Sequence, residues 1–196
     1  MSRDRCCGTS VGVLIADDHG RYLMVTRAWH PVGIAPVAGH VLDEHAVRDR
    51  TGALVLGASY EQAAIAEVAE EVGLEVVDLD LKLDVHLPNL CSSPPADPPG
   101  HHWRIYRAHV TGELAPDPEE TRGADWYTPD QVEVLAQRTI MHAHGRLSDE
   151  EIIERPGLEA VWVRHLAALG VIRVDPVDLA AVERVYATPP ATHWRG

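Results

Sequence analysis

Apolar and polar positions divide the chain into short, separate runs. Thr9 to Ala16 (TSVGVLIA) is apolar nearly throughout and predicts a mostly buried strand, closed by a turn at Asp17-Asp18-His19-Gly20. Arg21 to Arg27 (RYLMVTR) reads as its hairpin partner. A third apolar stretch, Ile34 to Leu42 (IAPVAGHVL), contains Pro36 and Gly39, so it is irregular or sits at a sheet edge. Asp43 to Thr51 mixes acidic and basic residues and reads as a solvent loop.

Ser59 is placed to cap a helix, and Gln62 three residues later completes a capping box. The predicted helix runs to Val72 and stops at Gly73, a residue suited to the left-handed position past a helix end. On it, Ile65, Val68, Ala69 and Val72 share a side that suits the core. Val76 to Leu87 and Trp103 to Val110 predict two more strands. The proline-rich stretch between them, Pro88 to Gly100 (PNLCSSPPADPPG), cannot join a sheet. From Thr128 the pattern turns helical, at Pro129 to Gln137, Ser148 to Glu154, Gly157 to Leu169 and Pro176 to Tyr186. Strands, a helix, strands and then helices describe an α/β or α+β domain with a helical tail.

Composition narrows the partners. The 196 residues suffice for one compact domain with a modest extension, and the hydrophobic fraction of 45% is that of an ordinary globular protein. A formal net charge of -13 opposes nucleic acid and acidic membrane surfaces, because both would be repelled. The run Val11 to Ala16 is too short for a membrane span or a signal-peptide core. Three cysteines, Cys6, Cys7 and Cys91, are an odd set with two adjacent, which disfavours a disulfide framework and fits a reducing cytoplasm.

The predicted helix also carries candidate chemistry. Glu67, Glu70 and Glu71 stand at i, i+3 and i+4 and share one side, with no lysine or arginine in the helix spaced to relieve their repulsion. Spacing alone leaves two readings: a solvated acidic face, or oxygen ligands for a hard divalent cation.

The stretch Glu67 to Leu74 (EVAEEVGL) resembles the second half of the Nudix box, G-x5-E-x7-R-E-U-x-E-E-x-G-U with U aliphatic, at every specified position from the glutamate before U onward. Ser59 to Ala64 is similar to the entry of a Nudix helix, Pro36 to Val41 to the strand end that carries the family's first glycine, and Asp125 to Asp130 to its late strand-to-helix step. The resemblance spans roughly residues 8 to 142. Counted back from Gly73, the box arginine falls on Ala66 and the early box glutamate on Ala58, so the box is degenerate. Ungapped counting puts the first glycine at Gly52, but Gly39 has the better setting, and choosing it implies an insertion at about 41–56.

The resemblance implies an α/β/α sandwich with a mixed sheet: a Nudix domain over residues 1–142, then a helical extension over 143–196 packed on it. It implies Mg²⁺ or Mn²⁺ held by Glu67, Glu70 and Glu71, with the Gly39 carbonyl as a fourth ligand, and hydrolysis of a nucleoside diphosphate linked to another group. Glu70 is one candidate base; Glu119 or Glu120, in the loop before the late strand, is another. Arg27 and Arg104 are candidates for phosphate contacts, and Trp103, Tyr106 and Trp126 for stacking on a base or sugar, with core filling as the alternative for the aromatics.

Three other readings stand beside the hydrolase. Isopentenyl diphosphate isomerases of the same fold place a cysteine before a Gly-His pair, where this chain has Ala38 before Gly39-His40. A catalytically weak or inactive ligand sensor would fit Ala58 and Ala66, and the apolar tail positions Val161, Leu166 and Leu169 leave a homodimer open. Cys6, Cys7, Cys91, His101 and His102 are ligand types for Zn²⁺, but they lack the usual paired spacing.

Overall fold

β1 (Thr9–Ile15) is buried on both of its faces, and its alternation sorts the core into two halves. Val11, Val13 and Ile15 point into one apolar cluster, and Leu14 into the other. The computed structural model describes residues 5–188; residues 1–4 and 189–196, the outer ends of the two predicted domains, lie outside the described part. In chain order the remaining elements are β2 (Tyr22–Arg27), β3 (Ile34–Ala35), β4 (Val37–His40), α1 (Leu56–Val72), β5 (Glu75–Leu87), β6 (His101–Thr111), β7 (Thr121–Tyr127), α2 (Pro129–Ala143), α3 (Asp149–Glu154), α4 (Ala160–Ala168) and α5 (Pro176–Tyr186).

Two sheets form. The first has the order β4-β1-β6-β5 and is mixed, because β1 runs parallel to β6 while the other neighbours are antiparallel. The second, β3-β2-β7, is antiparallel. One cluster joins Val11, Val13, Leu23, Val25 and Tyr106 to Tyr60, Ala63, Ala64, Val68 and Val72 of α1. The other joins Leu14, Met24, Trp103 and Ile105 to Val132, Trp162, Leu166 and Val182 from α2, α4 and α5. The result is an α+β fold with a mixed sheet between helix layers and helices at its C-terminal end. Among the described residues no helix is long and apolar enough to cross a membrane.

Four local expectations change. β1 and β2 do not form a hairpin; they lie in different sheets and share only the bridge Ala16–Tyr22. Both strands are apolar on both faces, so their patterns do not discriminate between neighbours. The stretch 34–42 is indeed at an edge, but at two of them: Pro36 separates β3, on the edge of the second sheet, from β4, on the edge of the first. The helix begins earlier than Ser59, at Leu56 with Val55 as N-cap. Ser59 is buried, its hydroxyl accepting from the Val47 N–H (2.9 Å) and donating to the Val55 carbonyl (3.1 Å), so it holds the preceding loop instead of capping. Ile65 is 40% exposed, and the core face of the helix is Tyr60, Ala63, Ala64, Val68 and Val72. Gly73 ends α1 in the left-handed region, with φ +70°, as its position predicts.

The tail returns to the second sheet. The Ile34 N–H donates to the Gly157 carbonyl (2.9 Å), and the Glu159 N–H donates to the Ile34 carbonyl (2.9 Å), so residues 157–159 run along the free side of β3. Trp162 then reaches under β1.

Candidate functional site

With Tyr60, Ala63, Ala64, Val68 and Val72 committed to the core, the helix turns Glu67 and Glu71 toward β4 and leaves Glu70 exposed. Gly39 of β4 meets Glu67 so closely that an added Cβ would fall 1.6 Å from its Oε1. Glu71 Oε2 accepts a hydrogen bond from the Ala38 N–H (3.3 Å). The backbone of one edge strand therefore holds or abuts two of the three carboxylates.

Burial and mutual repulsion outweigh the nearby positive charge at Glu67 and Glu71. Burial, helped by the charge of Glu70, pushes the Glu67 carboxyl up to about 7. Burial, then the charge of Glu67, pushes Glu71 up to about 8. Glu120 adds to both, and the Arg27 guanidinium works the other way. Arg27 is engaged elsewhere: its Nη1 lies 3.4 Å from Glu159 Oε2, and its Nε donates to the Pro31 carbonyl (3.0 Å).

Glu67 and Glu71 line a cleft of about 230 Å³ between the two sheets. Its walls include Arg27 from β2, Gly39 and His40 from β4, His101 and Trp103 from β6, Glu120 before β7, Cys91 from the β5–β6 loop and Glu159 from the tail. Glu159 is buried, and burial raises its carboxyl above the ordinary range while Arg27 opposes the rise. Trp103 is mostly a core residue, with Nε1 donating to Asn89 Oδ1 (2.8 Å).

An oxygen-rich donor set with two desolvated, mutually repelling carboxylates suits a hard divalent cation. The close approach of Gly39 to Glu67 requires a residue without Cβ. The residues present therefore fit such an ion.

Residues 8–150 match the NUDIX domain. This chain belongs to the Nudix family. Nudix proteins generally use divalent metals, act on small-molecule diphosphates and are typically pyrophosphohydrolases. Similar solved structures include a MutT NUDIX hydrolase from Burkholderia pseudomallei, at 21% identity over 63% of this chain and 84% of that one with a TM-score of 0.45. A MutT protein from Methanosarcina mazei has 14% identity over 66% of this chain and 82% of that one, TM-score 0.45. DR0079 from Deinococcus radiodurans has 15% identity over 81% and 80%, TM-score 0.45. A comparison with curated proteins finds no match.

Of the residues singled out from the sequence of this Nudix chain, Glu67, Glu71, Gly39, Arg27, Trp103 and Glu120 come together at the cleft. Glu70 is exposed on α1 beside Glu67 but is not part of the cleft wall. Arg104 and Trp126 are not brought there. Arg104 Nε donates to Asp84 Oδ2 (2.9 Å), and its guanidinium lies over the Tyr60 ring at 4.9 Å. Trp126 pairs with Leu23 between β7 and β2, with the Arg21 guanidinium 6.0 Å from its ring. Tyr106 is buried in the core cluster.

Sequence reasoning missed Glu159, His40 and Asn89 in the Nudix cleft. Glu159 carried no motif signal, because its place depends on the tail pairing with β3. Of the five soft ligands considered, Cys6, Cys91 and His101 converge, and the fourth partner is His40. Cys7 stands outside this set, its sulfur contacting Thr9 and Cys6, and His102 Nε2 pairs with Asp84 Oδ1 at 2.6 Å.

Proposed function

We propose that this Nudix chain is a divalent-metal-dependent pyrophosphohydrolase acting on a nucleoside diphosphate linked to another group. The observation that carries the reading is the abutment of the Gly39 backbone on Glu67, with Glu71 tied to Ala38 beside it, at the cleft. In this reading Glu67, Glu70, Glu71 and the Gly39 carbonyl hold Mg²⁺ or Mn²⁺. Such an ion neutralises a diphosphate and lowers the pKa of bound water. Glu120, at the cleft mouth, or Glu70 accepts the proton of the attacking water. Arg27, which lines the cleft while pairing with Glu159, would face the phosphates, and Trp103 lines the same cleft. Nothing about the placement of Arg104 or Trp126 supports a substrate role.

The domain organisation belongs to the same reading: a Nudix domain over 1–142 with an insertion at about 41–56, and a 143–196 extension. Glu159 from that extension lines the cleft, which supports a role for the tail in shaping the substrate space.

A second reading rests on Ala58 and Ala66. They stand where the box has glutamate and arginine, and alanine cannot hold two carboxylates as a guanidinium does. With Arg27 engaged by Glu159, this favours a catalytically weak protein or a ligand sensor.

The deciding measurement is phosphate release, coupled to a phosphatase, from nucleotide sugars, dinucleotides, nucleoside triphosphates and ADP-ribose, with Mg²⁺ or Mn²⁺ and with chelator. Metal-dependent turnover that Glu70→Gln abolishes supports the hydrolase. No turnover with any compound, alongside measurable binding of one, supports the sensor.

A further inference from the structure

A second group of ligands stands at the cleft wall and differs in kind from the glutamates. Cys6 Sγ lies 3.1 Å from His101 Nε2 and 3.4 Å from His40 Nε2, and the two Nε2 atoms are 3.3 Å apart. Cys91 faces the same point, and the four ligand atoms all lie within 4.8 Å of one another. Zn–S bonds of about 2.3 Å and Zn–N bonds of about 2.0–2.1 Å make a tetrahedron with edges of roughly 3.3 Å between nitrogens and 3.5 Å between nitrogen and sulfur. The three separations among Cys6, His40 and His101 are close to those edges.

The surroundings prepare these atoms as ligands. His101 Nδ1 lies 2.9 Å from the Asn89 carbonyl, which can only accept, so Nδ1 carries the proton and Nε2 turns its lone pair to the centre. Asn89 is itself fixed by Trp103. The Cys6 sulfur accepts from the Gly8 N–H (3.4 Å) and the Cys91 sulfur from the Ser93 N–H (3.5 Å), which fixes both side chains to their own loops. No cysteine is in a disulfide.

We propose that Cys6, His40, Cys91 and His101 form a tetrahedral site for a soft divalent cation, Zn²⁺, with a structural role. Four protein ligands close the coordination sphere and leave no position for water. They come from the segment before β1, the end of β4, the β5–β6 loop and the start of β6, so the ion ties the N-terminal segment and the proline-rich loop to the first sheet. The site is independent of whether the glutamates support hydrolysis.

The test is made on the full chain. Protein purified without chelator, with elemental analysis, is expected to carry one equivalent of zinc. Replacement by Co²⁺ should give the strong visible bands of a tetrahedral ion and near-ultraviolet sulfur-to-metal charge transfer. Cys6→Ser, Cys91→Ser and His101→Gln should each lose the bound metal, whereas Cys7→Ser and Glu67→Gln should keep it. Should the site variants not fold, alkylation of the wild-type chain gives the same answer: with zinc only Cys7 reacts, and after chelation Cys6 and Cys91 react as well. Zinc-free protein whose Co²⁺ form lacks sulfur charge transfer overturns the proposal. So does loss of metal in Cys7→Ser equal to that in Cys6→Ser, or a Cys6–Cys91 disulfide in the purified chain.

Discussion

Gly39 and Glu67 adjoin so closely that no methyl group fits between the backbone of one and the carboxylate of the other. Gly39→Ala would push Glu67 aside, since a flexible side chain yields more readily than an edge strand paired with β1. On the proposed hydrolase reading, metal-dependent turnover falls on the order of 10²-fold, as for other displacements of about an ångström. Thermal unfolding should shift little. Steady-state kinetics over a Mg²⁺ series checks this, and unchanged turnover would remove Gly39 from the site.

Arg27 and Glu159 form a partly buried pair, with side chains 24% and 5% exposed. Arg27→Met leaves Glu159 without its cation and should destabilise the fold by roughly 2 kcal/mol, less than for a fully buried pair. Glu159→Gln in the same chain should restore part of that loss. Urea unfolding of the two single variants and the double variant yields the coupling, and strict additivity would argue that the contact is energetically silent.

Trp162 of α4 occupies the space that a side chain at position 12 would need. A Cβ on Gly12 would come within 2.4 Å of Trp162 Cη2 and 2.9 Å of Ile105 Cδ1. Gly12→Ala is expected to cost about 1–3 kcal/mol through overpacking, seen as a lower urea midpoint with an unchanged slope. Trp162→Leu in the Gly12→Ala background should cost less than it does in the wild-type chain.

His165 sits among Trp103 and Trp162, with ring centroids 4.9 and 5.2 Å away, and burial followed by Arg164 holds its imidazole down at about 3. An unfolded chain titrates this residue near 6.5. Between those values the unfolded state binds the extra proton, so this residue's contribution is complete above about pH 6.5 and declines as the pH falls toward 3. His165→Phe should flatten the acid limb of the stability profile by at most about 1.4 kcal/mol per pH unit. An unaltered acid limb in chemical denaturation from pH 7 to 4 would contradict this.

What the sequence disclosed follows from how local each signal is. The glutamates, the end of α1 at Gly73, and α5 from Pro176 to Tyr186 are written in short spacings within one element, and they stand where the pattern puts them. β1 and β2 were legible as strands but not as members of separate sheets, because apolar positions on both faces carry no information about neighbours. Ser59 has the chemistry of a cap, yet a tertiary partner, the Val47 N–H, claims its hydroxyl. Arg104 and Trp126 are of the right type for a substrate, but strand register carries them away from the cleft. His40 and Glu159 reach the cleft only because distant segments meet there, which no local spacing encodes.

The run of the tail along β3 has a further consequence for colloidal behaviour. β3 is the edge of an antiparallel sheet, and an uncovered edge offers its amide and carbonyl groups to the next molecule. Gly157 and Glu159 take up the Ile34 N–H and carbonyl, and the chain thereby closes its own open margin. The tail is thus an intramolecular guard against edge-to-edge aggregation, and a chain cut at the end of the matched segment, residue 150, would expose that margin to its neighbours.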